Sequence, residues 1–247
     1  MTSPQESFAL IIPALNEAVS IGVQLRQLPP LFAQIVVVDN GSEDATAEVA
    51  RTAGAQVVRE PRRGYGRACL AGIAALRSEI TAIVFMDADL SDDPADAGRL
   101  AETLVAGGWD MVIGSRVLGH PEPGSLTPVQ RFGNWLTTHL IRWIWNVPFT
   151  DLGPLRIVRC EALRRLDMRD GDFGWNVEMQ VKAVRLGLTV TEIPVSYRRR
   201  KFGKSKISGT VIGSARAGVK ILWTVYRCWR MHLLGSRSGP RQRDDRA

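Results

Sequence analysis

Short apolar runs recur through the first half of this chain, at residues 8–12, 35–38, 55–59, 81–86 and 110–114, with helical patterns between most of them. Strands spaced in this way cannot be closed by hairpins. Parallel neighbours need crossovers of roughly a dozen residues or more, which helices supply. The pattern therefore predicts an α/β class protein with a Rossmann-like, mainly parallel sheet flanked by helices. The intervening segments agree: Ile21, Leu25 and Leu28 share one helical face before Pro29-Pro30, and Ser42 is placed to cap a helix carrying Ala47, Ala50 and Ala53 and closed by Gly54.

The run 81–86 stops at Asp87-Ala88-Asp89 and continues Leu-Ser-Asp-Asp-Pro. Side chains alternate along an extended segment, so Asp87 and Asp89 leave it on the same side. Two hard oxygen ligands at the carboxyl end of a buried strand suit Mg2+ or Mn2+, and such an ion suits a diphosphate. Asp92 and Asp93 read instead as punctuation, with Asp93 as helix N-cap and Pro94 in the first turn. That account fails for Asp87, which directly follows four apolar residues and would be a costly lone charge. The segment points to an enzyme using a nucleotide-activated substrate.

Parallel strands present their carboxyl ends on one edge, where ligands bind. Four loops should meet there: Pro13-Ala14-Leu15-Asn16-Glu17, Asp39-Asn40-Gly41-Ser42, Asp87-Ala88-Asp89 and Gly114-Ser115-Arg116. Asp39, Asn16 and Glu17 can accept hydrogen bonds from a base or ribose. Arg62-Arg63-Gly64-Tyr65-Gly66-Arg67 lies after the third strand, not the first, and so is no dinucleotide fingerprint. It can bring amides and Arg67 to a donor phosphate, or simply begin a helix.

Past Arg116 the pattern changes. Residues 117–130 read as a loop, 129–145 as a Trp-rich helix, 160–166 and 175–186 as helices, 188–197 as a late strand, 198–206 as a basic loop and 208–234 as a long helix. With 247 residues and 45% hydrophobic content the chain can bury a large core. Three scattered cysteines form no disulfide framework or CxxC site, consistent with a reducing cytosol, and the N-terminal apolar run is too short for a signal peptide or membrane span. Residues 190–247 hold 14 Lys/Arg against 3 Asp/Glu, so the last fifth is built to meet something anionic.

The segments LIIPALNE, IVVVDNGSEDAT, VFMDADLSDDP, MVIGSR, TDLGPLRIVR, GWNVEMQVKA and RRRKFGKSKIS, in this order, resemble the family 2 glycosyltransferases of the GT-A fold. The nearest subgroup is the dolichyl-phosphate mannosyltransferase and polyprenyl-phosphate glycosyltransferase-like enzymes. The resemblance implies that Pro13, Asn16, Glu17 and Asp39 bind the nucleotide, and that Asp87 and Asp89 hold the metal and donor diphosphate. It also implies that Arg116 and Arg131 lie near an acceptor phosphate, and that Arg200 with Ser205-Lys206 belongs to a mobile loop closing over the donor. Asn40 stands where many relatives have Asp, Ser91 where they have Gln, and Asp151-Leu152-Gly153-Pro154 replaces a Ser-Gly-Phe stretch.

The expected activity is that of an inverting glycosyltransferase moving a sugar from a nucleotide diphosphate to polyprenyl phosphate at the cytoplasmic face of a membrane. A soluble acceptor and a sugar nucleotidyltransferase are the alternatives. An alcohol acceptor would need a base, for which Asp151 and Glu178 are the candidates. The expected domains are 1–210 for catalysis, 211–234 as an amphipathic basic helix, and 235–247 as a disordered tail. In that helix Arg216, Lys220, Arg227 and Arg230 share an arc, beside Val219, Leu222, Trp223, Tyr226 and Trp229, a composition suited to an anionic membrane interface. A nucleic-acid partner would explain the basic tail but not the paired acids.

Overall fold

A computed structural model describes residues 6–119, 121–202 and 211–235, including side chains for 218–230 of the last helix. Seven strands form one sheet: β1 (Phe8–Ala14), β2 (Phe32–Asp39), β3 (Gln56–Arg59), β4 (Ala82–Phe85), β5 (Met111–Ser115), β6 (Arg156–Arg159) and β7 (Val190–Pro194), in the order β3-β2-β1-β4-β6-β5-β7. β1 runs parallel to β2 and β4, β2 to β3, and β5 to β7, while β6 is antiparallel to both neighbours. The sheet is mainly parallel, as the alternating pattern predicts. The antiparallel β6 went unread because it is four residues long and opens with the fully buried Arg156.

Strand alternation divides the core in two. Phe8, Leu10 and Ile12 face α1 (Ala18–Gln27), α2 (Thr46–Thr52) and α4 (Pro94–Gly107). Ala9 and Ile11 face α3 (Tyr65–Ala74), α5 (Pro128–Trp145), α6 (Cys160–Leu166), α7 (Trp175–Arg185) and α8 (Val211–Gly235). Each fully buried Leu or Ile contributes roughly 1.5–3 kcal/mol, so both faces hold the sheet rigid beneath its loops. α4 begins as expected: Asp93 Oδ1 accepts from the Ala95 amide at 3.1 Å, and Pro94 occupies the first helical position. α2 does not, because it starts at Thr46 and Ser42 Oγ accepts from the Asn16 amide instead.

α8 packs against α5 and α7 and inserts Val225 and Cys228 into the core. Of its basic arc Arg230 is exposed, but Lys220 and Arg227 are held by acids of the core. Lys220 Nζ lies 3.1 Å from Asp170 Oδ2, and Arg227 Nη2 lies 3.3 Å from Glu178 Oε1, both acids being buried. Buried carboxylates demand cations, so these two side chains turn inward while Val219, Leu222, Trp223, Tyr226 and Trp229 are exposed. For Lys220 and Arg227 this reverses the orientation expected from charge alone. The side chain of Arg216 and the tail 236–247 lie outside the described residues.

Candidate active site

The loops after β1, β2, β4 and β5 meet at one edge of the sheet. Asn16 adopts a left-handed backbone (φ +53) that turns the chain out of β1. Its amide donates to Ser42 Oγ at 2.9 Å, and its Oδ1 accepts from the Glu43 amide at 2.7 Å, binding the first loop to the second. Asp39, buried at the end of β2, accepts from the Ser42 amide at 2.9 Å. Gln24 reaches from α1 and donates to the Asp87 carbonyl at 2.7 Å, fixing the loop after β4 against the first helix. Arg200 closes the edge: its Nη1 is 2.8 Å from Glu17 Oε1 and its Nη2 2.9 Å from Asp89 Oδ2.

The acidic cluster is larger than the pair read from sequence. Asp92 is 1% exposed, and neither carboxylate oxygen makes a hydrogen bond of normal geometry among the described residues. Burial, then Asp87 and Asp89, pushes its carboxyl well up, so the punctuation reading holds for Asp93 and not for Asp92. Asp87 is pushed up to about 7, first by withdrawal from water and next by Asp89. This excess of negative charge is opposed by the guanidinium groups of Arg116 and Arg200. Asp87 and Asp89 carry hard carboxylate oxygens of the type that suits a divalent cation. No three acids, His or Cys converge into a closed cage among the described residues. A Mg2+ or Mn2+ ion here would complete its shell with water and ligand phosphate, as is common for such ions.

The raised Asp87 pKa has a testable consequence. A carboxyl whose folded pKa lies above its unfolded value adds stability below the ordinary carboxylate range, and loses it as pH rises through about 7. Asp87→Asn should therefore raise the melting temperature of metal-free protein near pH 8, by about 2–6 °C, and lose that advantage near pH 4. Thermal scans in chelator at both pH values would refute this if wild type and variant moved in parallel.

The model of the family described as Glycosyl transferase family 2 matches residues 9–167. The chain belongs to this family. An uncharacterized glycosyltransferase of Mycobacterium tuberculosis is 40% identical over 210 residues, covering 85% of this chain and 93% of that one. The undecaprenyl-phosphate mannosyltransferase of Micrococcus luteus is 30% identical over 222 residues, covering 85% and 90%. Among solved structures, glucosyl-3-phosphoglycerate synthase of M. tuberculosis, in complex with Mn2+, UDP-glucose and phosphoglyceric acid, superposes with a TM-score of 0.72 at 22% identity, covering 90% of this chain and 80% of that one. The seven-stranded sheet is the GT-A fold.

Asn40 is held by contacts that an Asp could not all make. Its Nδ2 donates to the carbonyls of Glu60 and Arg62, both at 2.9 Å, and its Oδ1 accepts from the Gly64 amide at 2.8 Å. A carboxylate could supply only the last bond. Gly64 and Gly66 also have a packing role, since added Cβ atoms would lie 2.3 Å from the Gly171 carbonyl oxygen and 1.9 Å from that of Asp170. The Gly-rich segment is thus a helix start pressed against the 170–171 backbone, and Arg67 Nη1 folds back onto the Arg63 carbonyl at 2.8 Å.

Of the residues associated with an acceptor, Arg116 and Asp151 form a bidentate pair with both contacts at 2.8 Å, and the guanidinium lies 5.0 Å from the Tyr197 ring centroid. Arg131 is exposed in the first turns of α5, which starts with a capping box at Thr127 and Gln130. Glu178 is held at the α7–α8 junction by Lys182 at 2.9 Å and by Arg227. Ser205 and Lys206 lie outside the described residues. Sequence reasoning missed Gln24, Asp92, Arg156 and Tyr197. Only Asp92 carried a local signal, as a third acid one residue before the cap.

Proposed function

We propose that this family 2 enzyme transfers a sugar, with inversion, from a nucleotide diphosphate to the phosphate of a polyprenyl phosphate at the cytoplasmic face of a membrane. The observation that carries this reading is the state of Asp151 and Glu178, the two carboxylates named as candidate bases for an alcohol acceptor. Asp151 accepts both arms of Arg116 and the Arg116 and Leu152 amides, and Glu178 is bound in ion pairs below α8. Neither is available to take a proton from an alcohol. A phosphate monoester has a second pKa of about 6 and is already anionic at neutral pH, so it needs no such base.

Pro13, Asn16, Glu17 and Asp39 line the loops assigned to the nucleotide, and Asp87 and Asp89 are the residues that would hold the metal. When bound, the ion would neutralise charge on the departing diphosphate. Arg200 would exchange its Asp89 and Glu17 partners for donor oxygens. Asp151 takes Nε and Nη2 of Arg116, which leaves Nη1 to turn towards an acceptor phosphate, with Arg131 as the second cation. The polyprenyl-phosphate relative supports this acceptor. Family membership removes the sugar-nucleotidyltransferase alternative.

The test is a screen of UDP-, GDP- and dTDP-sugars with polyprenyl phosphate and with small phosphorylated and alcohol acceptors, followed by determination of the product anomer. Transfer only to a soluble acceptor, or with retention, would refute the proposal. Arg131→Lys should lower transfer to polyprenyl phosphate about tenfold to a hundredfold, because lysine cannot reproduce a bidentate phosphate contact. Nucleotide affinity by calorimetry should not change. A parallel fall in nucleotide binding would assign Arg131 to the donor.

A further inference from the structure

We propose that the exposed aromatic face of α5 and α8 docks on a lipid bilayer, inserting tryptophan side chains, and that Lys220 and Arg227 serve to orient α8 for that contact. The choice of a bilayer as occupant rests on the lipid-acceptor reading above.

Large apolar side chains concentrate in solvent on these two adjoining helices. Trp143 is 84% exposed, Val219 69% and Trp223 55%. On α8 the exposed Val219, Leu222, Trp223, Tyr226 and Trp229 fall within one arc at 100° per residue, which also holds the exposed Arg230, while the core-facing Cys228 lies on the other side of the helix. The aromatic rings lie against one another in tilted pairs, with Trp223 to Tyr226 at 5.5 Å and Tyr226 to Trp229 at 6.1 Å, so the ridge is preassembled. Exposed patches of this kind mark an interaction surface.

Charge and residue type select the partner. Neither α5 nor α8 contains an Asp or Glu, whereas both contain Arg, so nothing on the face repels lipid phosphate. Tryptophan and tyrosine with flanking arginine suit the boundary between headgroups and acyl chains, where an amphipathic ring has both surroundings it needs. The inward pairs of Lys220 with Asp170 and Arg227 with Glu178 fix the rotation of α8 and leave the aromatic arc outermost. Arg131 lies one helical turn from exposed Trp135 on α5, which sets a phosphate-binding cation beside the membrane-facing surface.

The full chain, as wild type and as the triple variant Trp143→Ser/Trp223→Ser/Trp229→Ser, is tested by flotation with phosphatidylcholine vesicles, with and without phosphatidylglycerol. Tryptophan emission is followed in parallel. Wild type should bind both vesicle types with a blue shift, and high salt should remove only the increment due to anionic lipid. The variant should partition about a hundredfold less well, while nucleotide affinity and transfer to a short, water-soluble prenyl phosphate stay within about twofold. Wild-type failure to bind either vesicle, equal binding by the variant, or a wild-type dimer that the variant dissociates would overturn the proposal. Vesicle binding without transfer to any prenyl phosphate would refute the acceptor reading alone, and soluble transfer without vesicle binding would refute the membrane face alone.

Discussion

Asp89→Asn is expected to leave a folded protein that has lost metal-dependent donor binding, with transfer reduced by at least about a hundredfold, the scale of removing one group aimed at developing charge. Asp89 is placed for this effect at the carboxyl end of the strand, where its Oδ1 accepts from the Ser91 amide at 2.9 Å and its Oδ2 faces Arg200. Asparagine can keep the first contact and loses the charge of the second. Because Asp89 adds to the repulsion acting on Asp87 and Asp92, neutralising it should not lower the stability of metal-free protein. Calorimetry with nucleotide, with and without Mn2+, reads the effect, and circular dichroism checks the fold. Arg200→Ala provides the control: it removes the same ion pair from the other side and should retain metal dependence. If Asp89→Asn binds nucleotide as well as wild type in Mn2+, Asp89 is not a metal ligand.

Sequence legibility followed local physics. The parallel half of the sheet could be read because each strand is an apolar run ending in a turn, and the loops that assemble the site directly follow those runs. β6 was hidden because its first residue is a buried arginine, whose Nη1 bonds the Asn176 carbonyl at 3.2 Å. Only the tertiary fold supplies that acceptor. The role of Asp92 was hidden similarly: beside a true N-cap it looks like turn chemistry, and its burial against Asp87 requires β7 and the segment after it, through the backbone bridge to Tyr197. Helical periodicity placed Lys220 and Arg227 on one side of α8, but could not say that this side faced buried acids. That direction depended on Asp170 and Glu178, about forty to fifty residues earlier in the chain.

The same dependence on distant partners governs the Arg116–Asp151 pair near the site. Burial works against the arginine's charge, and Asp151 more than offsets it, holding the guanidinium above its ordinary range. Asp151 is fully buried, and the Arg116 side chain is 13% exposed. Asp151→Ala would leave that cation beside Asp87 and Asp92 without its bidentate partner and remove the acceptor of the Arg116 amide, which now donates to Asp151 Oδ2 at 2.8 Å. Breaking one side of a buried pair costs about 3–5 kcal/mol, which corresponds to a fall in melting temperature of roughly 10 °C for a chain of this size. Replacing both residues, as Arg116→Met/Asp151→Leu, should recover much of that stability, since the cost lies in the unmatched charge. The double variant should still fail to transfer sugar if Arg116 serves the acceptor. A single variant melting within about 2 °C of wild type would show that water reaches the pair and screens it. A double variant with full activity would remove Arg116 from the acceptor site while leaving the donor loops intact.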